Sequence, residues 1–214
     1  MPRPRQLEDE KLLHRAMMVF WQQGYAATGI RALEEATGLK APSLYHRFGS
    51  KEGLFDAALE NYLETVIGWR VRVFLEGRES EQPGARDKRE AFDRRDALAG
   101  LRRFLETTFD YDKPGAARLA CLMINTTLEI GGQREATDAL IARGSQMLRE
   151  GFATALTRLR DDGRLQKSAD IAAHAEHLQL CLQGLLVSAR MPLSKREMQG
   201  KVELILATLP LKKH

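Results

Sequence analysis

Apolar residues in this chain return every three or four positions, and no stretch of useful length alternates apolar with polar. That period belongs to helices with one buried side, so the expectation is an all-α protein without a sheet. The first stripe, Leu13, Ala16, Met17 and Phe20, falls at i, i+3, i+4 and i+7 in a helix read from Glu8 to Gln23. Gly24 ends it by accepting the left-handed conformation, and Tyr25 is placed to fold back on Phe20. Thr28 is the expected N-cap of a short second helix whose inner side is Ile30, Leu33 and Ala36, closed by Gly38. A third short helix, Leu39 to Phe48, has Pro42 in its first turn, where a missing N–H costs nothing, and stops at Gly49. Ser50 then caps a much longer fourth helix that runs to about Leu75.

Between Glu76 and Asp93 the chain is Gly, Pro and charge, which reads as an exposed connection. Helical periodicity returns over Arg94 to Thr108, Ala116 to Ile130, Glu135 to Asp161, Ala169 to Met191 and Ser194 to Leu209. The breaks fall at Pro114-Gly115, Gly131-Gly132, Asp162-Gly163 and Pro192. With 214 residues the chain is too long for one small helical module alone, so two parts are expected, residues 1–53 and residues 54–214. In the penultimate helix Leu178, Leu180, Cys181, Leu182, Leu185, Leu186 and Val187 cover more circumference than one buried side needs. The last helix opens with the capping-box pair Ser194 and Glu197 and repeats Met198, Val202, Ile205 and Leu209 along one side. Two such helices from each of two subunits make a four-helix interface, so a homodimer through residues 169–209 is expected.

The short helices around Gly38 have the layout in which the second of a pair enters the DNA major groove. Any small helical bundle contains such corners; what distinguishes this one is the polar content of the third helix. Ser43, Tyr45, His46, Arg47 and Lys51 crowd into fewer than three turns, each with a donor for a phosphate or base edge. Leu44 and Phe48 are left to anchor that helix on Phe20 and Leu33. A solvated charged face has the same composition. The net charge of +4 permits a polyanionic partner without demanding one.

From Gly24-Tyr25 through Thr28, Gly38-Leu39 and the run Ser43-Leu44-Tyr45-His46-Arg47-Phe48-Gly49-Ser50-Lys51-Glu52-Gly53-Leu54-Phe55, the first quarter of the chain resembles the TetR family of bacterial regulators. The resemblance implies an N-terminal helix-turn-helix joined by a long helix to a divergent helical domain that holds a ligand cavity and dimerises through its last two helices. It implies phosphate contacts for Ser43, Tyr45, His46 and Lys51, a capping role near the DNA backbone for Thr28, and base reading for Arg31 and Pro42. Those roles suit the side chains: arginine can donate twice to guanine, and a proline ring can pack on a thymine methyl. Ala41 offers no hydrogen bond, which leaves Arg31, Lys40 and Tyr45 to carry more of the specificity. Arg3 and Arg5, beside prolines, are read either as a minor-groove arm or as a loose terminus.

The segment Ala120 to Glu129 resembles one branch of the family, in which the pattern usually begins with Gly instead of Ala. Its polar members Asn125 and Glu129, with Leu128, Trp69, Phe104 and Met147, form the expected effector-lining set, against the plainer reading that they are core and caps. Phe109 belongs to the same group. Cys121 is the residue of a rival scheme, a redox- or electrophile-sensing thiol, but its apolar neighbours fit a buried small hydrophobe better. His174 and His177 share a helix side without a third ligand, so no metal and no cofactor is expected. The sequence has no phosphate-cradling glycine loop, HExxH or GxSxG, which argues against an enzyme, and the N-terminus lacks the apolar core of a secretory signal, so a cytoplasmic protein with no membrane span is expected. An architectural DNA-binding protein without an effector would leave the long C-terminal helical part without a use.

Overall fold

The computed structural model describes residues 4–78, 93, 95–108, 119–189, 191 and 193–212. Arg3, Phe109, Pro114-Gly115, Pro192 and most of the connection after Glu76 lie outside the described residues, as does the Arg5 side chain. The described residues form helices with no strand: α1 (Pro4–Gln23), α2 (Ile30–Thr37), α3 (Ala41–Phe48), α4 (Lys51–Tyr62), α5 (Ala97–Glu106), α6 (Leu122–Ile130), α7 (Glu135–Asp161), α8 (Ile171–Ser188) and α9 (Lys195–Ala207). One isolated antiparallel bridge joins Leu165 to Leu211. The helical path after α4 continues through two π-helical stretches, Leu63–Gly68 and Val71–Leu75, which no sequence pattern announces. The Thr65 hydroxyl donates to the Asn61 carbonyl at 2.7 Å at the first of them, a local bond that competes with the regular ladder.

The chain packs as two compact units, residues 1–66 with 121–144 and residues 67–120 with 145–214. In the first, the buried side of α1 is Leu12, Ala16, Met17, Val19 and Phe20, while Leu13 is only half-buried. Phe20 meets Phe55 edge-on at 4.9 Å, and Leu33, Leu44 and Leu54 complete the centre. Each such side chain taken wholly out of water stabilises the fold by about 1.5–3 kcal/mol. Gly144, in the interior of α7, is explained by crowding: a Cβ there would sit 2.5 Å from Met123 Sδ and 2.6 Å from a Leu63 methyl.

In the second unit Phe104 and Phe152 cross edge-on at 5.4 Å, with Leu75, Leu101, Leu156 and Leu178 fully buried. Asp96 caps α5 by accepting from Leu98 and Ala99 N–H. Burial pushes its carboxyl up, but those amides and Arg164 at 2.7 Å outweigh it and hold the group below its ordinary value. Arg70 closes the other end of α5, donating to the Phe104 and Thr107 carbonyls. The Ser194–Glu197 capping box forms as expected. On α8, Leu178, Leu182, Leu185 and Leu186 are buried while Leu180 is 58% exposed; on α9, Met198, Val202 and Ile205 are buried, as is Leu209 just beyond it, while Leu204 is 70% exposed. Both helices therefore keep apolar side chains in water within one chain.

Candidate nucleic-acid interface

Three glycines with positive φ cut the N-terminal helices as their positions predict: Gly24 (82°), Gly38 (76°) and Gly49 (80°). Tyr25 folds back beyond the first of them, its ring stacked 6.5 Å from that of Phe20. The capping role expected of Thr28 is corrected. Gly29 is the N-cap of α2 and makes no side-chain cap, whereas the buried Thr28 hydroxyl donates backward to the Gly24 carbonyl at 2.5 Å. A carbonyl at the end of α1 lacks a helical partner, and that acceptor lies within reach of Thr28.

The α3 N-terminus has an N-cap, Lys40, whose side chain cannot accept a hydrogen bond. The acceptor comes from α2: Glu34 Oε1 takes the Ala41 N–H at 2.7 Å, fastening the two helices of the corner. Glu34 was not among the sequence candidates, and an acidic residue seven positions before a proline-containing helix start is the signal that could have found it. With Leu44 buried and Phe48 half-buried, α3 turns Pro42, Ser43, Tyr45, His46 and Arg47 into solvent, with Lys40 and, on α2, Arg31 also exposed. Ala41 is half-buried. The sequence candidates are thus gathered at one corner. Arg47 is already engaged, paired with Asp9 of α1 at 2.5 Å.

Lys51 occupies the first turn of α4, where Ser50 caps by accepting the Gly53 N–H at 3.2 Å. Its ammonium lies 4.7 Å from the centre of the Tyr25 ring, a cation–π contact. The Tyr25 hydroxyl donates to Glu52 Oε1 at 2.7 Å. Burial and that bonded carboxylate push the phenol up to about 12, while the Tyr25 and Ser50 hydrogen bonds draw Glu52 down to about 2.

Of the expected effector-lining residues, Trp69, Phe104 and Met147 belong to the second unit, where Trp69 stands 5.7 Å from Phe74; Asn125, Leu128 and Glu129 belong to the first. Leu128 is 71% exposed. Glu129 has its carboxylate on the backbone of the α1–α2 turn, accepting from Tyr25 N–H at 2.9 Å and Ala26 N–H at 2.7 Å. Cys121 is buried, with its sulfur 3.3 Å from the Tyr62 hydroxyl. His177 bonds across to Thr208 of α9 at 3.1 Å and lies 3.5 Å from Cys181, whose thiol burial pushes up. Among the described residues no cluster of His, Cys, Asp and Glu is assembled to hold a metal ion, and no helix is long and apolar enough to cross a membrane.

Residues 12–58, which contain this corner, match the family model for bacterial regulatory proteins of the tetR family. The chain is 32% identical over 197 residues to the HTH-type transcriptional repressor ComR of Escherichia coli K12, covering 88% of this chain and 82% of the relative. It is 30% identical over 210 residues to the HTH-type transcriptional regulator YezE of Bacillus subtilis 168, covering 98% and 100%. Among solved structures, a cysteine mutant of the TetR-family regulator CifR in complex with 26-base-pair double-strand operator DNA superimposes with a TM-score of 0.74. It is 29% identical in sequence, over 98% of this chain and all of the other. The corner geometry and these likenesses, extending through the helices that follow, agree: the chain belongs to the TetR family of bacterial regulatory proteins, helix-turn-helix transcription regulators and not enzymes.

Proposed function

We propose that this protein is a repressor that binds an inverted-repeat operator as a homodimer and releases it when a small molecule binds the helical C-terminal part. The observation that carries the reading is the outward face of α3, where Lys40, Pro42, Ser43, Tyr45 and His46 are all exposed on a helix pinned by Leu44 and Glu34. In this reading Ser43, Tyr45, His46 and Lys51 hold phosphates, Thr28 supports the turn beside the backbone, and Arg31 and Pro42 read bases, with Lys40 and Ala41 at the groove edge. The exposed Leu180, Val187 and Leu204 of α8 and α9 are the dimer face. Its place of work is the cytoplasm, where a bacterium's DNA lies. The likeness to a regulator solved on operator DNA supports the DNA partner.

The effector meets the aromatic group of the second unit, Trp69, Phe74 and Phe104, whose ring edges and faces suit an apolar or aromatic molecule. Cys121 as a reactive thiol is the second reading; its burial favours the reversible one. Selection of duplexes from a random pool by the full chain tests the proposal. An inverted repeat with half-sites about one helical turn apart is expected, and recovery of unrelated sequences without symmetry would overturn it.

A further inference from the structure

The α1–α2 turn, Gly24 to Ala26, is held from far along the chain. Both oxygens of the Glu129 carboxylate are spent on two successive backbone N–H groups, Tyr25 at 2.9 Å and Ala26 at 2.7 Å, across sequence separations of 104 and 103 residues. Gly24 fits this grip twice over: its φ is 82°, and a Cβ would stand 2.9 Å from Glu129 Oε2. The turn carries the Tyr25 ring on which the Lys51 ammonium rests, 4.7 Å from its centre. That ring is set edge-on to Phe55 at 4.9 Å, and the Arg134 guanidinium stands 5.6 Å from it. Arg134 is itself tied to α4 by Asp56 at 2.7 Å, and Thr137 donates to the same carboxylate at 2.8 Å. The end of α6 and the start of α7 thus grip the reading head at the turn and at α4.

We propose that Glu129 is a positioning residue for DNA binding: by clamping the Tyr25 and Ala26 amides it fixes the ring that aims Lys51. A carboxylate accepting two amide hydrogens in fixed geometry makes the charge-assisted, two-pronged bond that sets an angle as well as a distance. Lys51 has four rotatable bonds, so a fixed ring beneath its ammonium removes freedom that would otherwise be lost on reaching a phosphate. The clamp also makes α6 a physical handle on the DNA-contacting end of α4. This inference rests on the reading of Lys51 as a phosphate contact, and its test separates the two.

The test is a double-mutant cycle of Glu129→Ala and Lys51→Ala in the full chain, reading affinity for a duplex selected by the wild-type protein and its salt dependence. Glu129→Ala is expected to weaken binding about tenfold, the scale of one charge-assisted hydrogen bond. It should lower the salt slope as Lys51→Ala does, and add little when Lys51 is already gone. Glu129→Gln, which keeps the shape and one acceptor, is expected to lose less; it carries the cycle if the alanine variant melts below the assay temperature. An equal loss on both backgrounds, or no loss, overturns the clamp while leaving the Lys51 reading intact. Unchanged affinity and salt slope in Lys51→Ala alone would overturn that reading and the clamp with it.

Discussion

Ala120 is the one described residue other than glycine with a left-handed backbone, φ 49°, just before the buried Cys121. A Cβ in that conformation costs roughly 1–2 kcal/mol, a cost that glycine does not bear. Ala120→Gly is therefore expected to raise stability, by up to about 1 kcal/mol after the greater freedom of glycine in the unfolded chain is subtracted. A lower melting temperature would refute it. At the interface, Lys51→Ala should weaken binding to all duplexes alike and reduce the salt slope by about one. Arg31→Ala differs in kind, costing about 1–3 kcal/mol on the best duplex and relaxing preference at one base pair per half-site; an unchanged preference profile reassigns Arg31 to the backbone. Protons act on the Tyr25–Glu52 pair from both sides. Glu52 falls from 4.5 to about 2, so its share of stability is present above pH 4.5 and is lost as pH drops toward 2. Tyr25 rises from 10.0 to about 12, so its share is present below pH 10 and is lost as pH climbs toward 12. Denaturation midpoints should fall on both flanks, and a Tyr25→Phe variant should lessen both falls.

Among the elements, the start of α3 depends on a neighbouring helix. Because the Lys40 side chain supplies no acceptor, Glu34→Ala leaves the Ala41 N–H without its 2.7 Å partner and should cost about 1 kcal/mol, the scale of a lost N-cap. Thermal unfolding measures the cost, and a loss of operator affinity beyond it would show the cap aiming α3 as well as closing it. The boundaries of α7, Glu135–Asp161, are those its periodicity predicts, and α8 and α9 fall within the expected spans, but α6 begins at Leu122 where Ala116 was expected. The width of the α1 stripe was less legible: Ala16, Met17 and Phe20 are buried as expected, but Leu12 and Val19 are buried with them and Leu13 only in part, a choice between neighbouring stripes that period alone does not make. The π-helical stretches have no signature in composition either, since an extra residue per turn is tolerated wherever packing rewards it.

For the molecule as a whole, the exposed Leu180 and Leu204 predict the assembly. Apolar side chains at 58% and 70% exposure on adjacent terminal helices gain by meeting their copies around a two-fold axis. Sedimentation at micromolar concentration should show a dimer, and Leu180→Asp with Leu204→Asp a monomer that binds operator more weakly but melts cooperatively. A wild-type monomer would refute the interface. Signalling then follows reciprocity: an effector that loosens operator binding 5- to 150-fold, about 1–3 kcal/mol of coupling, must be loosened equally by operator. Cys121→Ser should repress and still respond; a variant that represses but cannot be induced moves the sensor to the thiol.

The helical class, the glycine stops, the caps at Ser50 and Ser194, and the identity of the α3 side chains that face outward could all be read along the chain, because each rests on contacts within a few residues. That Glu34 caps α3, that Thr28 bonds backward, and that Glu129 holds the turn beneath Tyr25 emerged only from folding. A free amide or carbonyl at a helix end can be met by any acceptor or donor that folding brings near. For Glu129 that meant a partner more than a hundred residues away.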